Sequence, residues 1–169
     1  MHSNSYFSLK TSIQMEFTPS KLNTFLLVKL PSAFLCGVRV REISPEKCVA
    51  TVRHRWISQN PFNSMYFAVQ AMAAELTTGA LMMYAIRDSR KNISMLVANN
   101  RSTFTKKARG KITFTCDQGL LVRQAVEAAV STGEGQTIWL TSVGVDEAGD
   151  KVSEMSFEWT IKLKDTAKQ

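Results

Sequence analysis

Residues 60–85 read "NPFNSMYFAVQAMAAELTTGALMMYA", and between Met65 and Ala85 the single charged residue is Glu75. Apolar side chains recur on almost every face of a helix drawn over this stretch. A helix of that kind is a buried one. At about 100° per residue, Ala68, Met72, Glu75 and Gly79 share a narrow sector, and Glu75 falls in the stripe that also holds Met65, Leu76 and Met83. A buried carboxylate is costly unless it is bonded or paired, and its pKa moves up. Such an acid either makes a structural bond or looks out through the least covered face, or it performs chemistry. The helix pattern alone leaves both open.

The flanking segments show what covers this helix. Thr18-Pro19-Ser20 reads as a helix start, with Thr18 as N-cap and Pro at the first helical position. Leu22, Phe25, Leu26 and Leu30 follow with helical spacing, and Pro31 ends or kinks the segment. Two short strands, "CGVRVREI" and "KCVATVRHRW", flank the turn-prone Ser44-Pro45-Glu46. The long helix comes next, with Asn63 or Ser64 expected as its N-cap. "ISMLVANNRSTFTKKA" and "GKITFTC" read as strands joined around Arg109-Gly110, and "LLVRQAVEAAV" as a short amphipathic helix stopped by Gly133. "QTIWLTSVGVDE" and "KVSEMSFEWTIKLK" flank a turn at Ala148-Gly149-Asp150. In the last of these Met155, Phe157, Trp159, Ile161 and Leu163 alternate with Glu154, Ser156, Glu158, Thr160 and Lys162, a strand signature. Strands on both sides of one very apolar helix imply an α+β fold, a curved antiparallel β-sheet wrapped around a long central helix. The expectation is a single domain over 1–169, with residues 1–17 peripheral.

Composition agrees with an ordinary globular protein, 44% hydrophobic and 21% charged over 169 residues. The net charge of +7 points to an anionic partner without choosing among nucleic acid, membrane surface, nucleotide and acidic carrier protein. Cys36, Cys48 and Cys116 lack metal-binding spacing, and their odd number argues against a disulfide framework. They read as core residues in a reducing compartment. The opening "MHSNSYFSLKTSIQMEF" has no apolar run of signal-peptide type. Gln70, Glu75, Thr77 and Thr78 interrupt the stretch 60–85, so it is not expected to insert in a membrane. These features together lead us to expect a cytoplasmic protein.

Asn60, Pro61, Asn63 and Ser64 lead into the helix, where unbonded N–H groups make a site for negative charge, a developing oxyanion included. Glu75 lies roughly 15 Å of rise past the first turn. A substrate does not readily bridge that distance, so either the loop folds back toward Glu75 or a second chain completes the site.

The motif "NPFNSMYFAVQAMAAELTTG" and the surrounding order of elements resemble the hotdog-fold superfamily of acyl-thioester enzymes, and within it an uncharacterised thioesterase-like subgroup. The resemblance in architecture covers about residues 20–164, and that in motif 60–79. In related thioesterases an Asn or Gln in the loop precedes an acid on the central helix by fifteen positions, the spacing of Asn60 and Glu75. The resemblance implies that Glu75 is the base or nucleophile and Asn60 orients water or substrate. It also implies that an early helix N–H polarises the thioester carbonyl and that sites form at a homodimer interface, in a dimer or dimer of dimers. Asn63, Ser64, Phe67 and Thr78 complete the expected catalytic set. Many relatives have His-Gly-Gly at the helix entrance, whereas this chain has Asn63-Ser64-Met65-Tyr66-Phe67. Phe67 falls where a glycine often lets the backbone approach the thioester, and a bulky residue narrows that approach.

Thr77 and Thr78 lie within a turn of Glu75, where such hydroxyls more commonly bond back to the helix. His54 and His2 have no Ser or Cys partner at useful spacing, so a histidine relay is a weak reading. The basic run "NNRSTFTKKARGK" holds Arg101, Lys106, Lys107, Arg109 and Lys111. It reads either as a solvated face or, given the resemblance, as the place where coenzyme A phosphates or an acyl carrier protein dock. For that role we name Arg101, Lys106, Lys107 and Arg109. No nucleic-acid-binding motif accompanies the charge. No metal is implied, and no cofactor beyond the coenzyme A or carrier protein that belongs to the substrate. The leading expectation is thioester hydrolysis. The alternatives are a non-catalytic acyl-thioester-binding protein, in keeping with Phe67, and, lower, a dehydratase or hydratase, which would pair the acid with a loop histidine.

Overall fold

The computed structural model describes residues 17–164. Residues 1–16 of the opening segment read for a signal peptide lie outside them, His2 included. Helix α1, Pro19–Lys29, begins as expected: Thr18 Oγ1 accepts the Lys21 N–H at 3.3 Å, and Pro19 takes the first turn. Pro31 opens a separate short helix α2, Pro31–Leu35, with Leu30 as the hinge between them. Strands β1 (Arg39–Ile43) and β2 (Cys48–Arg53) pair antiparallel across the turn, where the Ser44 N–H bonds the Lys47 carbonyl at 2.9 Å. His54, read as part of a strand, lies just beyond β2, its N–H on the Gly110 carbonyl. The long helix α3 spans Phe67–Asp88. Strands β3 (Ile93–Phe104) and β4 (Lys111–Cys116), helix α4 (Gly119–Thr132), and strands β5 (Gln136–Val145) and β6 (Lys151–Leu163) follow. Helix α4 ends at Gly133, in the left-handed region at φ 75°, as its sequence position foretold.

The strands form one antiparallel sheet in the order β1-β2-β4-β5-β6-β3. β3 and β4 are therefore not neighbours, although only six residues separate them in sequence: 105–110 carry the chain from one end of the sheet to its middle. Val40, Ala50, Val52, Ile112, Phe114, Leu140, Met155, Phe157, Trp159 and Ile161 are all buried. On each strand they alternate with more exposed neighbours, which is how a sheet with one face on a core reads. The buried residues of α3, among them Val69, Ala73, Ala74, Ala80, Leu81 and Met82, belong to that core.

Phe114 is fully buried, and its ring occupies the space that a side chain at position 144 would need. A Cβ on Gly144 would lie 2.6 Å from Phe114 Cε1. Cys48 and Cys116 sit opposite each other in the β2–β4 register, buried as free thiols. Desolvation pushes them up to about 12 and about 11, so they are inert core residues rather than nucleophiles.

The two edges of the sheet differ. At β1 the Asn23 side chain of α1 donates to the Val40 carbonyl at 3.0 Å and accepts the Val40 N–H at 2.9 Å. It mimics a neighbouring strand for one residue. Among the described residues β3 pairs only with β6, and its other edge is open over twelve residues. Asn100, Ser102 and Phe104 face Phe157, Met155 and Ser153 in register, on the helix side of the sheet, yet are exposed. Phe114→Ala is expected to destabilise the fold by about 3–5 kcal/mol, the cost of losing a buried ring and leaving a cavity, read as a lower urea midpoint at unchanged slope.

Candidate active site

The chain entering α3 turns once more than its sequence suggests. Asn60 Oδ1 accepts the N–H groups of Phe62 (2.9 Å) and Ser64 (3.2 Å), and Asn60 Nδ2 donates to Ser64 Oγ (3.0 Å) and the Met65 carbonyl (3.3 Å). Asn63 consequently takes the left-handed region, at φ 56°. The expected capping by Asn63 or Ser64 does not occur: the helix begins at Phe67, behind an extended Tyr66 that supplies no side-chain cap. Both candidate caps are already committed to the turn that Asn60 closes. The Tyr66 carbonyl takes the Val69 and Gln70 N–H groups (3.1 and 3.3 Å), and no acceptor for those of Phe67 and Ala68 is found among the described residues. Two amides at the positive end of a 22-residue helix thus stay free for an anion.

Phe67, the first residue of the helix, lines a cavity of about 500 Å³ together with Asn60, Ser64, Tyr66, Phe104 and Lys107, among others. Its ring meets that of Tyr66 edge-on, centroids 4.9 Å apart, and both remain exposed. The cavity's other wall is the chain after β3, tied to the loop by the Met65 N–H on the Ala108 carbonyl at 2.9 Å.

The basic run does not converge on one point. Lys106 lines the cavity but is clamped between Asp146 and Asp150, at 2.6 Å each. The bond to Asp146, then that to Asp150, holds its ammonium above the ordinary lysine range, and Lys106 in turn holds Asp146 low. Lys107 donates to the Phe62 carbonyl at 3.3 Å and Arg109 to the Asn63 carbonyl at 3.0 Å, so both brace the loop. Arg101 points to the opposite face of the sheet and lies over the Trp139 ring, 4.5 Å from its centroid.

Glu75 and Thr78 are absent from the cavity wall. Thr78 is buried; its hydroxyl donates to the Glu75 carbonyl at 2.9 Å and accepts Trp159 Nε1–H at 3.0 Å. That bond fastens the turn bearing Glu75 to β6. The Glu75 carboxylate is half-buried and lies in the space opened by Gly79. A Cβ there would stand 3.2 Å from the Trp159 ring and 3.3 Å from Glu75 Oε1. No hydrogen bond or ion pair to this carboxylate is found among the described residues. Burial pushes its pKa up.

Sequence reasoning missed Gln70. It is buried, with Nε2 on the Met65 carbonyl (3.3 Å) and Oε1 accepting the Ser153 hydroxyl (3.0 Å), and it lines the cavity floor. A lone amide in so apolar a helix was the signal. Tyr66 and Phe104 were missed as cavity walls because nothing in their spacing joins positions so far apart.

A curved antiparallel sheet around one long helix, with a cavity at the helix N-terminus, defines the hotdog fold. The chain belongs to the family described as "Domain of unknown function (DUF4442)", whose model matches residues 20–161. Among solved structures it is similar to a protein of unknown function from Pseudomonas aeruginosa described as a probable thioesterase. The identity is 21%, over 87% of this chain and 97% of that one, with a TM-score of 0.74. A mutant thioesterase from Pseudomonas aeruginosa matches at 12% identity over 89% and 98%, TM-score 0.67. A thioesterase from Haemophilus influenzae matches at 12% over 90% and 96%, TM-score 0.66. At these identities the likeness establishes the fold. No curated protein matches the chain.

The raised Glu75 pKa has a thermodynamic signature. A carboxyl whose folded pKa exceeds its unfolded one binds more protons folded. Its stabilising contribution is full below the unfolded value and is lost as pH rises through the raised one. Glu75→Gln, which keeps shape and cannot ionise, is expected to gain on the parent in melting temperature as pH rises from the ordinary carboxylate range, about pH 4, upward. Parallel melts over that rise in pH check it; a constant gap would mean an untitrated Glu75.

Proposed function

We propose that this chain hydrolyses acyl thioesters as a homodimer, with Glu75 as general base. One observation carries the reading: a half-buried carboxylate on the central helix, raised in pKa and without a hydrogen-bond or ion-pair partner among the described residues. Structural buried acids are tied down by donors. An untied one, more basic than usual, can take a proton from water near neutral pH. The water attacks the thioester carbonyl, and the Phe67 and Ala68 N–H groups receive the tetrahedral oxyanion. Collapse then expels the thiolate, which recovers the proton. The aromatic cavity holds the acyl or pantetheine arm.

Geometry calls for a second chain. Glu75 stands eight residues beyond Phe67, about 12 Å along the axis, and does not line the cavity. Pairing of two copies along the open β3 edge brings the exposed helix-side residues of β3 under a partner's helix, and Glu75 toward the partner's cavity. Sedimentation at micromolar concentration is expected to give a dimer. A monomer that turns over thioester would break the shared-site reading.

Glu75→Gln should lower kcat by about 10²–10⁴-fold, the usual worth of general-base catalysis, in a protein that stays folded and dimeric. Hydrolysis of coenzyme A and carrier-protein thioesters over a range of chain lengths provides the measurement. Loss of only a few-fold would leave Glu75 structural. Asn60 favours a second reading, binding without hydrolysis, because both ends of its amide are engaged in the loop rather than aimed at a substrate. A parent protein that binds acyl thioesters and turns none over would establish that reading.

A further inference from the structure

The face of β1, β2 and β4 turned away from α3 carries a second cavity, of about 320 Å³, which shares no lining residue with the first. Arg39, Arg41, Arg53, Arg55 and Lys111 all line it. Strand pleating gathers them. Val40, Val52 and Ile112 are buried in the core, so the residues beside them project from the other face. Register then sets Arg39 opposite Thr51 and Arg53 opposite Lys111.

The compensation is thin. Glu147 pairs with Arg53 at 3.2 Å and accepts the Lys111 backbone N–H at 3.2 Å; it is the one carboxylate bonded to the group among the described residues. Arg39 donates to the Phe34 and Val38 carbonyls, at 2.8 and 2.7 Å, and stacks on the Phe34 ring. Arg41 donates to Thr51 Oγ1 at 2.9 Å. The Arg55 and Lys111 side chains make no hydrogen bond or ion pair among the described residues. Desolvation, with the charges of Arg41 and Arg55 added to it, pushes Arg39 below the ordinary arginine range. Like charges crowded this way repel, and an anion between them relieves the repulsion.

We propose that this groove binds a small molecule bearing a di- or triphosphate group. Four of the five cations are arginines, whose planar forks match phosphate oxygens in pairs. The volume, about 320 Å³, lies at the low end of the ~300–1,000 Å³ of small-molecule sites and gives more room than a lone phosphate needs. Among the described residues no aromatic lines the groove, whereas single-stranded nucleic acid is held on stacking platforms. The groove shares no lining residue with the first cavity, and a test that reads phosphate binding alone does not depend on thioester turnover. A nucleotide and a free oligophosphate present the same chemistry to it.

Calorimetric titration of the full chain with orthophosphate, pyrophosphate and ATP tests the site. Pyrophosphate and ATP are expected to bind at least about tenfold more tightly than orthophosphate, through added charge-assisted bonds, and more weakly as salt is raised. ATP tighter than pyrophosphate identifies a nucleotide ligand; equal affinities identify the oligophosphate itself. The triple variant R41A/R55A/K111A leaves the bonds of Arg39 and Arg53 in place and should weaken pyrophosphate binding by about tenfold or more. Should the triple variant not fold, Arg55→Ala alone, which removes a side chain without bonds, should weaken it about threefold to tenfold. Unchanged binding in the variant that folds overturns the proposal. So does equal affinity for orthophosphate and pyrophosphate, or binding seen only with RNA or with anionic vesicles.

Discussion

A helix with no polar side must be enclosed, and the rest of this structure follows from enclosing α3. The sheet curves because it has to reach around the helix, and polar groups caught between the two must find partners inside. Three bonds stitch helix to sheet: the Thr77 and Ser142 hydroxyls at 2.8 Å, Gln70 to Ser153, and Thr78 to the Trp159 indole. No buried side-chain nitrogen or oxygen is left without a partner among the described residues. Glu75 stands apart from that rule because it is only partly covered. Burial holds its pKa above the ordinary carboxylate range, with no donor among the described residues to bring it back.

The pattern of elements was legible wherever burial dictated it. The alternation over Met155–Leu163 puts Met155, Phe157, Trp159 and Ile161 in the core, and the apolarity of α3 announced its central place. Local chemistry was legible at Thr18 and Gly133, where a cap or a left-handed turn depends on residues a few positions apart. The start of α3 was not legible, because Asn60 takes the Phe62 and Ser64 amides and draws both candidate caps, Asn63 and Ser64, into the turn before the helix. Strand order was hidden too: β3 and β4 look like a hairpin until pairing with β6 claims β3.

Charge misled for a related reason. Arg101, Lys106, Lys107 and Arg109 are close in sequence but sit on different faces and are engaged with Trp139, two aspartates and two loop carbonyls. Arg39, Arg41, Arg53, Arg55 and Lys111 come from three separate segments and meet on one face. Density along the chain reports local concentration; only strand register turns it into a surface. The period of two in Arg39-Val40-Arg41 and in Arg53-His54-Arg55 carried the information, once the two segments were known to be neighbours.

Asn23 clasping Val40 has a consequence beyond its two hydrogen bonds. A sheet that offers pairing groups at both ends can keep adding copies, each presenting a fresh end to the next, and such growth does not terminate. Asn23 answers both main-chain groups of Val40, within β1, so the β1 end of the sheet is guarded while the β3 end is open among the described residues. One asparagine on a neighbouring helix thus makes the two ends unequal and discourages growth by addition at both.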